Sequence, residues 1–491
     1  MKVLLRVSQR WSPSWRPFRA TSPPSSDLIL LLFYIHDVTF VILFSLSAAQ
    51  SQPTLESKLE ALQSHFTWDL DSSRSKLFRF RDKLKDIGAE EGNSWLGHIY
   101  NLQGFIHYQL GFIHKQLGFI EEAKSFFSRA TEAFHQMMNT VSDGPWLLVN
   151  YGNLSWMHHH LGEQAESERY LSKVHALMKE YPSPFEDELD PEIYAEKAWT
   201  LMKFSPEENK LLAADYFRKA IRMQPDRVEW QTSRVIALIS AYKYCSNELG
   251  ADILEEMKKA KEYDPENLYL AALYLEECAE RGTDIEQEAR ELAKRILNKP
   301  VSSYNGFTPL LRLYRIHVSM DEAIDLADEA LKRHPDEHYL KRCAAFCYKW
   351  KLLPPRDNNQ EHEPSMMNKA ISLCEEVISL YPDSSLRMEI TLANLYAESK
   401  RQDEGDQIFK DLLKRDLEDK EKQMVYYTYG SYLYFKVKQE QESIKYHMMA
   451  AEIPQQSSYR EKSIRILEKI RYRNHNRREI EEFLAKLPNW A

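Results

Sequence analysis

Glycine and cysteine are the scarce residues of this chain. Of its 491 residues, 14 are Gly and five are Cys. Sheets of short strands need Gly-rich turns and alternating Val, Ile and Thr, and neither is frequent here. The cysteines (Cys245, Cys278, Cys343, Cys347 and Cys374) are odd in number, scattered, and form no C-x-x-C pair. That argues against a secreted disulfide framework or a zinc site. It leaves most of them as small apolar core residues of a reducing compartment.

A positive charge balance is also missing. The formal sum is −9, which argues against a surface coated for generic nucleic-acid binding. A basic interior groove beneath an acidic exterior stays compatible with that sum, because steering follows the local potential. The signatures of common chemistries are absent: no P-loop, H-E-x-x-H, G-x-S-x-G or G-x-G-x-x-G occurs. His158-His159-His160 looks metal-like, but neighbours on a helix point about 100° apart and cannot converge on one ion. Glu276-Glu277 and Glu375-Glu376 read as solvated helix faces with no partner for acid–base work. Nothing favours an enzyme, and no metal or cofactor is implied.

What the chain has instead is long runs of Ala, Leu, Glu, Lys and Gln, the composition of helices. Length alone suggests about two to four domains. A solenoid escapes that expectation, since each repeat packs only on its neighbours. The tetratricopeptide template places small residues where two helices approach and Pro where the second helix stops. Ala213, Phe217, Ala220 and Pro225 fit it, as do Ala323, Ala327, Ala330 and Pro335, and Ala370, Cys374, Val377 and Pro382. Ala260 and Pro265 repeat the final pair, while segments beginning at Leu154 and Leu392 supply further partial matches. The fold expected is therefore all-α, a superhelical tetratricopeptide-repeat solenoid with a central groove. A polar loop at 353–364 would divide it into arrays at 54–352 and 365–491. Residues 104–117 contain a tandem heptad, GFIHYQL then GFIHKQL. Seven residues are two turns, so the copy keeps the apolar face aligned and lengthens one helix by about 10 Å.

Residues 1–53 read differently, with basic residues ahead of an apolar run from Leu28 to Ala49. One reading is a signal peptide or membrane anchor. The other, which we adopt, is intron sequence translated in error, since a polypyrimidine tract encodes runs of Phe, Leu and Ser. The sole N-x-S/T acceptor, Asn153-Leu154-Ser155, falls within an expected helix beside Trp156, a poor place for a glycan. A cytosolic protein is expected.

Cations beside aromatics mark the candidate binding residues. Lys341, Arg342, Lys349 and Lys351 share an expected helix with Tyr348 and Trp350, and Arg312 and Arg315 flank Tyr314. Lys203 follows Trp199 by four residues, which puts both on one helix face. An aromatic and a cation facing a groove can stack a base and hold a phosphate. The competing reading of each is a core aromatic with a snorkelling neighbour.

The stretch LESKLEALQSHFTWDL resembles the opening of the interferon-induced proteins with tetratricopeptide repeats. Tyr151-Gly152-Asn153 with Trp156, Ala198 to Lys203, Leu313-Tyr314-Arg315, Cys347-Tyr348-Lys349 and Tyr429-Gly430 extend the likeness over about residues 54–475. The chain ends at Trp490-Ala491, short of the mammalian members' last repeat, and reads as a non-mammalian-looking member. The resemblance implies a cytosolic antiviral effector of innate immunity. It would hold the 5′ end of foreign single-stranded RNA, as triphosphate or under-methylated cap, and sequester it from translation. By that likeness Trp199 and Lys203 line the RNA-end pocket, Lys83 touches phosphate, and Arg342 helps line the tunnel. An arginine of the family corresponds to Lys243 by motif or to Ser240 by ungapped count. Ile87 and Thr308-Pro309 depart from the family's polar residues, and Arg312, one turn on, is the candidate substitute. Some members of the family act by binding sister proteins or signalling adaptors, so a protein-interaction scaffold is the competing expectation. Cations turned into a closed groove would favour RNA. An open groove lined by apolar and acidic residues would favour a protein partner.

Overall fold

The computed structural model describes residues 53–87, 94–204, 209–244, 250–353, 363–471 and 477–487. The chain divides into two compact units, 1–58 and 59–491. The described residues contain 22 α-helices and no strand. A short α1 (Leu55–Glu60) is followed by α2 (Arg74–Lys85). Helix–turn–helix pairs then succeed one another: α3 (Leu96–His114) with α4 (Leu117–Met137), α5 (Leu148–His160) with α6 (Gln164–Glu180), and α7 (Pro191–Phe204) with α8 (Lys210–Met223). Next come α9 (Val228–Tyr244) with α10 (Ala251–Tyr263), α11 (Leu268–Glu280) with α12 (Glu286–Leu297), and α13 (Phe307–Leu313) with α14 (Met320–Arg333). The series ends in α15 (His338–Leu352) with α16 (Pro364–Leu380), α17 (Leu386–Glu398) with α18 (Gln402–Leu413), α19 (Asp419–Tyr432) with α20 (Glu440–Glu452), and α21 (Ser458–Arg471) with α22 (Arg477–Lys486).

This is the tetratricopeptide solenoid that the spacing predicts. Ala213, Phe217, Ala220, Ala323, Ala327, Ala370 and Cys374 are all completely buried. Helices α8, α10, α14 and α16 each stop two residues before Pro225, Pro265, Pro335 and Pro382. The residue ahead of proline cannot stay helical. Gln224, Asp264, His334 and Tyr381 accordingly take one conformation, φ between −126° and −135° with ψ between 57° and 83°. Most of the 353–364 loop lies outside the described residues. The apolar cluster from Leu268 to Tyr396 includes residues on both sides of it.

The heptad repeat has a packing reason. A Cβ on Gly97 would stand 2.7 Å from Phe134, one on Gly104 2.6 Å from Phe127, and one on Gly111 2.6 Å from Ile120. Glycine every seventh residue lets α4 press against α3 along their length. The two copies differ in burial. Phe105, Ile106 and Leu110 are buried, whereas their duplicates Phe112, Ile113 and Leu117 are exposed. Helix α3 ends at His114, with Lys115 left-handed at φ 51°, so only half of the second copy extends it.

The segment that carries the family resemblance is structural. The His65 backbone N–H donates to Asn153 Oδ1 at 3.0 Å, its Nε2 lies 3.1 Å from the Thr200 hydroxyl, and the Trp68 ring packs against it at 4.8 Å, tilted by 47°. Asn153 is fully buried, so the acceptor sequon is closed to a glycan in the folded protein. Nearby, Asn101 donates to the buried Glu196 carboxyl at 2.8 Å. Burial pushes Glu196 up to about 8 and holds His65 down at about 3. Burial likewise pushes the Cys343 thiol up to about 11 and those of Cys347 and Cys374 up to about 12, as expected of apolar core cysteines. Cys245 lies outside the described residues.

Candidate functional site

Helix α2 belongs to no repeat pair and reaches segments far apart in sequence. Phe80 packs on Phe204 at the end of α7, with ring centroids 4.9 Å apart. The Arg74 backbone N–H donates to Glu418 at 2.7 Å, and the Ser384 hydroxyl donates to Asp82 at 2.6 Å. Just beyond α2, Asp86 accepts from the Tyr381 hydroxyl at 2.6 Å and from the Ser303 backbone N–H at 3.0 Å. These contacts tie the middle and later repeats to one helix. Between α2 and the repeats lies a cavity of about 660 Å³.

Seven cations line this cavity: Arg79, Lys83, Lys203, Arg312, Arg315, Arg342 and Arg387. No Asp or Glu is among the lining residues. Carboxylates stand behind two of the arginines. Arg312 donates through Nε to Glu276 at 2.7 Å, and Arg342 pairs with Asp86. Arg79, Lys203, Arg315 and Arg387 have no carboxylate within ion-pair distance among the described residues. Burial, and after it the neighbouring cations, lowers the pKa of three of them. Burial, then Arg387, lowers Arg79, and burial, then Arg312, lowers Arg315. Lys203 is lowered furthest, to about 7, by burial and then by Lys83 and Lys210. Its stem is enclosed, one edge still meets the cavity, and its ammonium lies over the Tyr304 and Tyr269 rings at 5.0 and 5.8 Å.

Five of the seven residues expected from sequence thus share one wall: Lys83, Lys203, Arg312, Arg315 and Arg342. The structure places the other two elsewhere. Trp199 is completely buried, stacked on Trp95 at 5.9 Å, because it sits one turn deeper along α7 than Lys203. It is a core residue here and offers no exposed face to a base. Lys243 on α9 donates to Glu276 at 3.2 Å and lies behind Arg312, outside the lining. Its alternative, Ser240, turns its hydroxyl back to Ile236 O. Thr308 and Pro309 do face the cavity, and the Thr308 hydroxyl lies 2.7 Å from the Tyr339 hydroxyl. Of the other basic residues on α15, Lys341 pairs with Glu376 and Lys351 with Asp321.

Sequence reasoning missed Arg79, Arg387, Phe346, Tyr269 and Tyr304 in this wall. A usable signal existed. Lys203, Tyr269, Arg312, Arg342 and Arg387 all lie on first helices of pairs, the rows that face the groove. The three histidines do not converge. His158 pairs with Glu163, while His160 packs against Phe66 and Trp156. No group of three His, Cys, Asp or Glu residues able to hold a metal occurs among the described residues. No described helix is long and apolar enough to cross a membrane.

Comparison with known proteins finds the same repeat architecture elsewhere. A family profile described as the SusR N-terminal TPR domain matches residues 319–483, and a tetratricopeptide-repeat profile matches 106–134. The human antiviral innate immune response effector IFIT1 is 25% identical over 439 residues, 87% of this chain and 89% of its own. Mouse interferon-induced protein with tetratricopeptide repeats 2 is 24% identical, covering 86% of this chain and 88% of its own. The chain is similar along most of its length to the interferon-induced proteins with tetratricopeptide repeats. Among solved structures, a monomeric IFIT1 mutant with Gppp-AAAA superposes with a TM-score of 0.62 at 26% identity, covering 88% of this chain and 94% of that one. The human IFIT1 dimer with PPP-AAAA gives 0.59 at 25% identity, covering 88% and 93%.

Proposed function

We propose that this protein is a cytosolic antiviral effector of innate immunity that holds the 5′ end of foreign single-stranded RNA in the cavity beneath α2. Held there, the RNA is withdrawn from translation. The observation that carries the reading is the wall itself: seven cations and no carboxylate around about 660 Å³, in a chain whose net charge is −9. Positive charge is concentrated in one place, which suits a polyanion entering end-first. The similarity to IFIT1 structures with PPP-AAAA and Gppp-AAAA supports the same ligand class. A scaffold for signalling proteins or sister chains would favour an open groove with apolar and acidic walls, and this wall has no acid. Binding is by charge and enclosure, with no bond made or broken.

The test is a titration of the full chain against one short RNA carrying 5′-hydroxyl, monophosphate, triphosphate or cap in turn. Preference for triphosphate or cap is expected. Each phosphate held should also add about −0.7 to the slope of log affinity against log salt. Equal or absent binding to all four ends, or a flat salt response, would overturn the reading and leave the scaffold as the better account.

A further inference from the structure

One part of the wall is unlike the rest. Helix α15 presents Tyr339, Arg342, Cys343, Phe346, Cys347 and Trp350 to the cavity, a stripe at helical spacing. Most of that stripe is buried, but Phe346 and Trp350 are 39% and 37% exposed. Large aromatics left wet inside a cavity keep apolar area that a flat ligand could cover. The surrounding charge narrows the ligand. The Arg315 guanidinium sits 4.5 Å from the Trp350 ring centroid, and Lys349 lies 5.5 Å from it and 5.8 Å from that of Phe346. Arg387 completes the group on the cavity side, and Arg315 has no carboxylate partner among the described residues. An apolar peptide would meet unpaired cations here, and an anion alone would leave the rings wet. A nucleotide satisfies both, with its base on the ring and its phosphate on the guanidinium.

Resting on the RNA reading above, we infer that Trp350 and Phe346, with Arg315, form a stacking subsite for an unpaired nucleobase next to the phosphates. The cavity then has two functional ends. Lys83, Lys203 and Arg312 hold phosphate, while the α15 aromatics hold a base. The subsite accepts any base, since every base offers a π-face. It gives RNA an affinity that its phosphates alone do not have.

The experiment compares wild-type full chain, Trp350→Ala and Trp350→Tyr by equilibrium binding to three probes. These are inorganic tripolyphosphate, a 5′-triphosphate RNA tetramer, and the same tetramer with abasic positions introduced one at a time. Trp350→Ala should weaken RNA binding by about tenfold or more. It should leave tripolyphosphate affinity unchanged, and Trp350→Tyr should keep most of the RNA affinity. One abasic position should reproduce the loss in wild type and add nothing in Trp350→Ala. An unaltered RNA affinity in Trp350→Ala, or an equal loss for tripolyphosphate, would overturn the subsite while leaving the phosphate end intact. Wild-type failure to bind any probe would overturn the RNA reading itself, and the subsite with it.

Discussion

Lys203 turns the cavity's electrostatics into a measurable pH dependence. Burial and then the neighbouring Lys83 and Lys210 bring its pKa from 10.5 to about 7 in the free protein. A phosphate beside it favours the charged form and raises that value again. Below pH 7 the lysine is already charged and binding needs no proton. Above pH 7 the free protein must take one up, so affinity falls as pH rises. The free-state penalty grows as one plus ten to the power of pH minus 7. Between pH 7 and 9 this weakens binding about 50-fold, or about 2.3 kcal/mol. Glu192 and Glu196, raised by burial to about 7 and about 8, also titrate near that window but stand outside the cavity lining and are common to all three variants compared below. A terminal phosphate titrates near 6, burial raises Tyr269, and Cys343 and Cys347 sit near 11 and 12. The assay is the dissociation constant of a 5′-triphosphate RNA from pH 7 to 9 for wild type, Lys203→Arg and Lys203→Met. Wild type should show the fall and Lys203→Arg a nearly flat line, because guanidinium stays charged throughout. Lys203→Met should bind weakly and without pH dependence. Equal slopes in wild type and Lys203→Arg would refute the reasoning.

Two further predictions concern the core around the site. Trp199→Ala removes a completely buried indole and should cost about 3–5 kcal/mol of stability by denaturant unfolding; unchanged stability with lost RNA binding would return Trp199 to the site. The Glu196 carboxyl is held up at about 8, so the native state keeps a proton that the unfolded chain releases above about 4.5. Stability should therefore fall as pH rises from about 4.5 to 8, and Glu196→Gln should remove up to about 1.4 kcal/mol per unit of that fall. A stability profile unaltered by Glu196→Gln would show that the carboxyl ionises freely.

The repeat register was legible because small residues and prolines act locally. Ala213, Ala220 and Pro225 do in one pair what Ala323, Ala330 and Pro335 do in another, whatever surrounds them. The site was legible where a cation lay on a first helix beside a family motif, as Lys203, Arg312 and Arg342 do, and at Lys83 through the resemblance. Trp199 shows the limit. It shares a helix face with Lys203, but only the fold reveals that Trp95 covers it while the longer lysine reaches past. Lys243 shows another limit, since a cation at a suitable position can be claimed by a carboxylate 33 residues later. Arg79 was hidden because α2 lies outside the repeat pattern. Its docking against later repeats is decided by contacts such as Asp82 with Ser384, over 300 residues apart in sequence.

The cavity's cations fall into two groups with different consequences for the ligand. Arg312 and Arg342 are braced by Glu276 and Asp86, which sit deeper and fix the guanidinium positions while cancelling much of their charge. Arg79, Lys203, Arg315 and Arg387 have no such counterion among the described residues, and the pKa values of Arg79, Lys203 and Arg315 are lowered by burial first and by neighbouring cations second. One terminal phosphate carries about −1.5 to −2 at neutral pH. It would neutralise about half of that second group. A ligand that relieves the rest must bring further phosphates into the same enclosure, either stacked at its end or succeeding one another along a single strand. On the RNA reading proposed above, the wall should discriminate by number of phosphates more than by the shape of any one. A 5′-hydroxyl or monophosphate end should gain least from it.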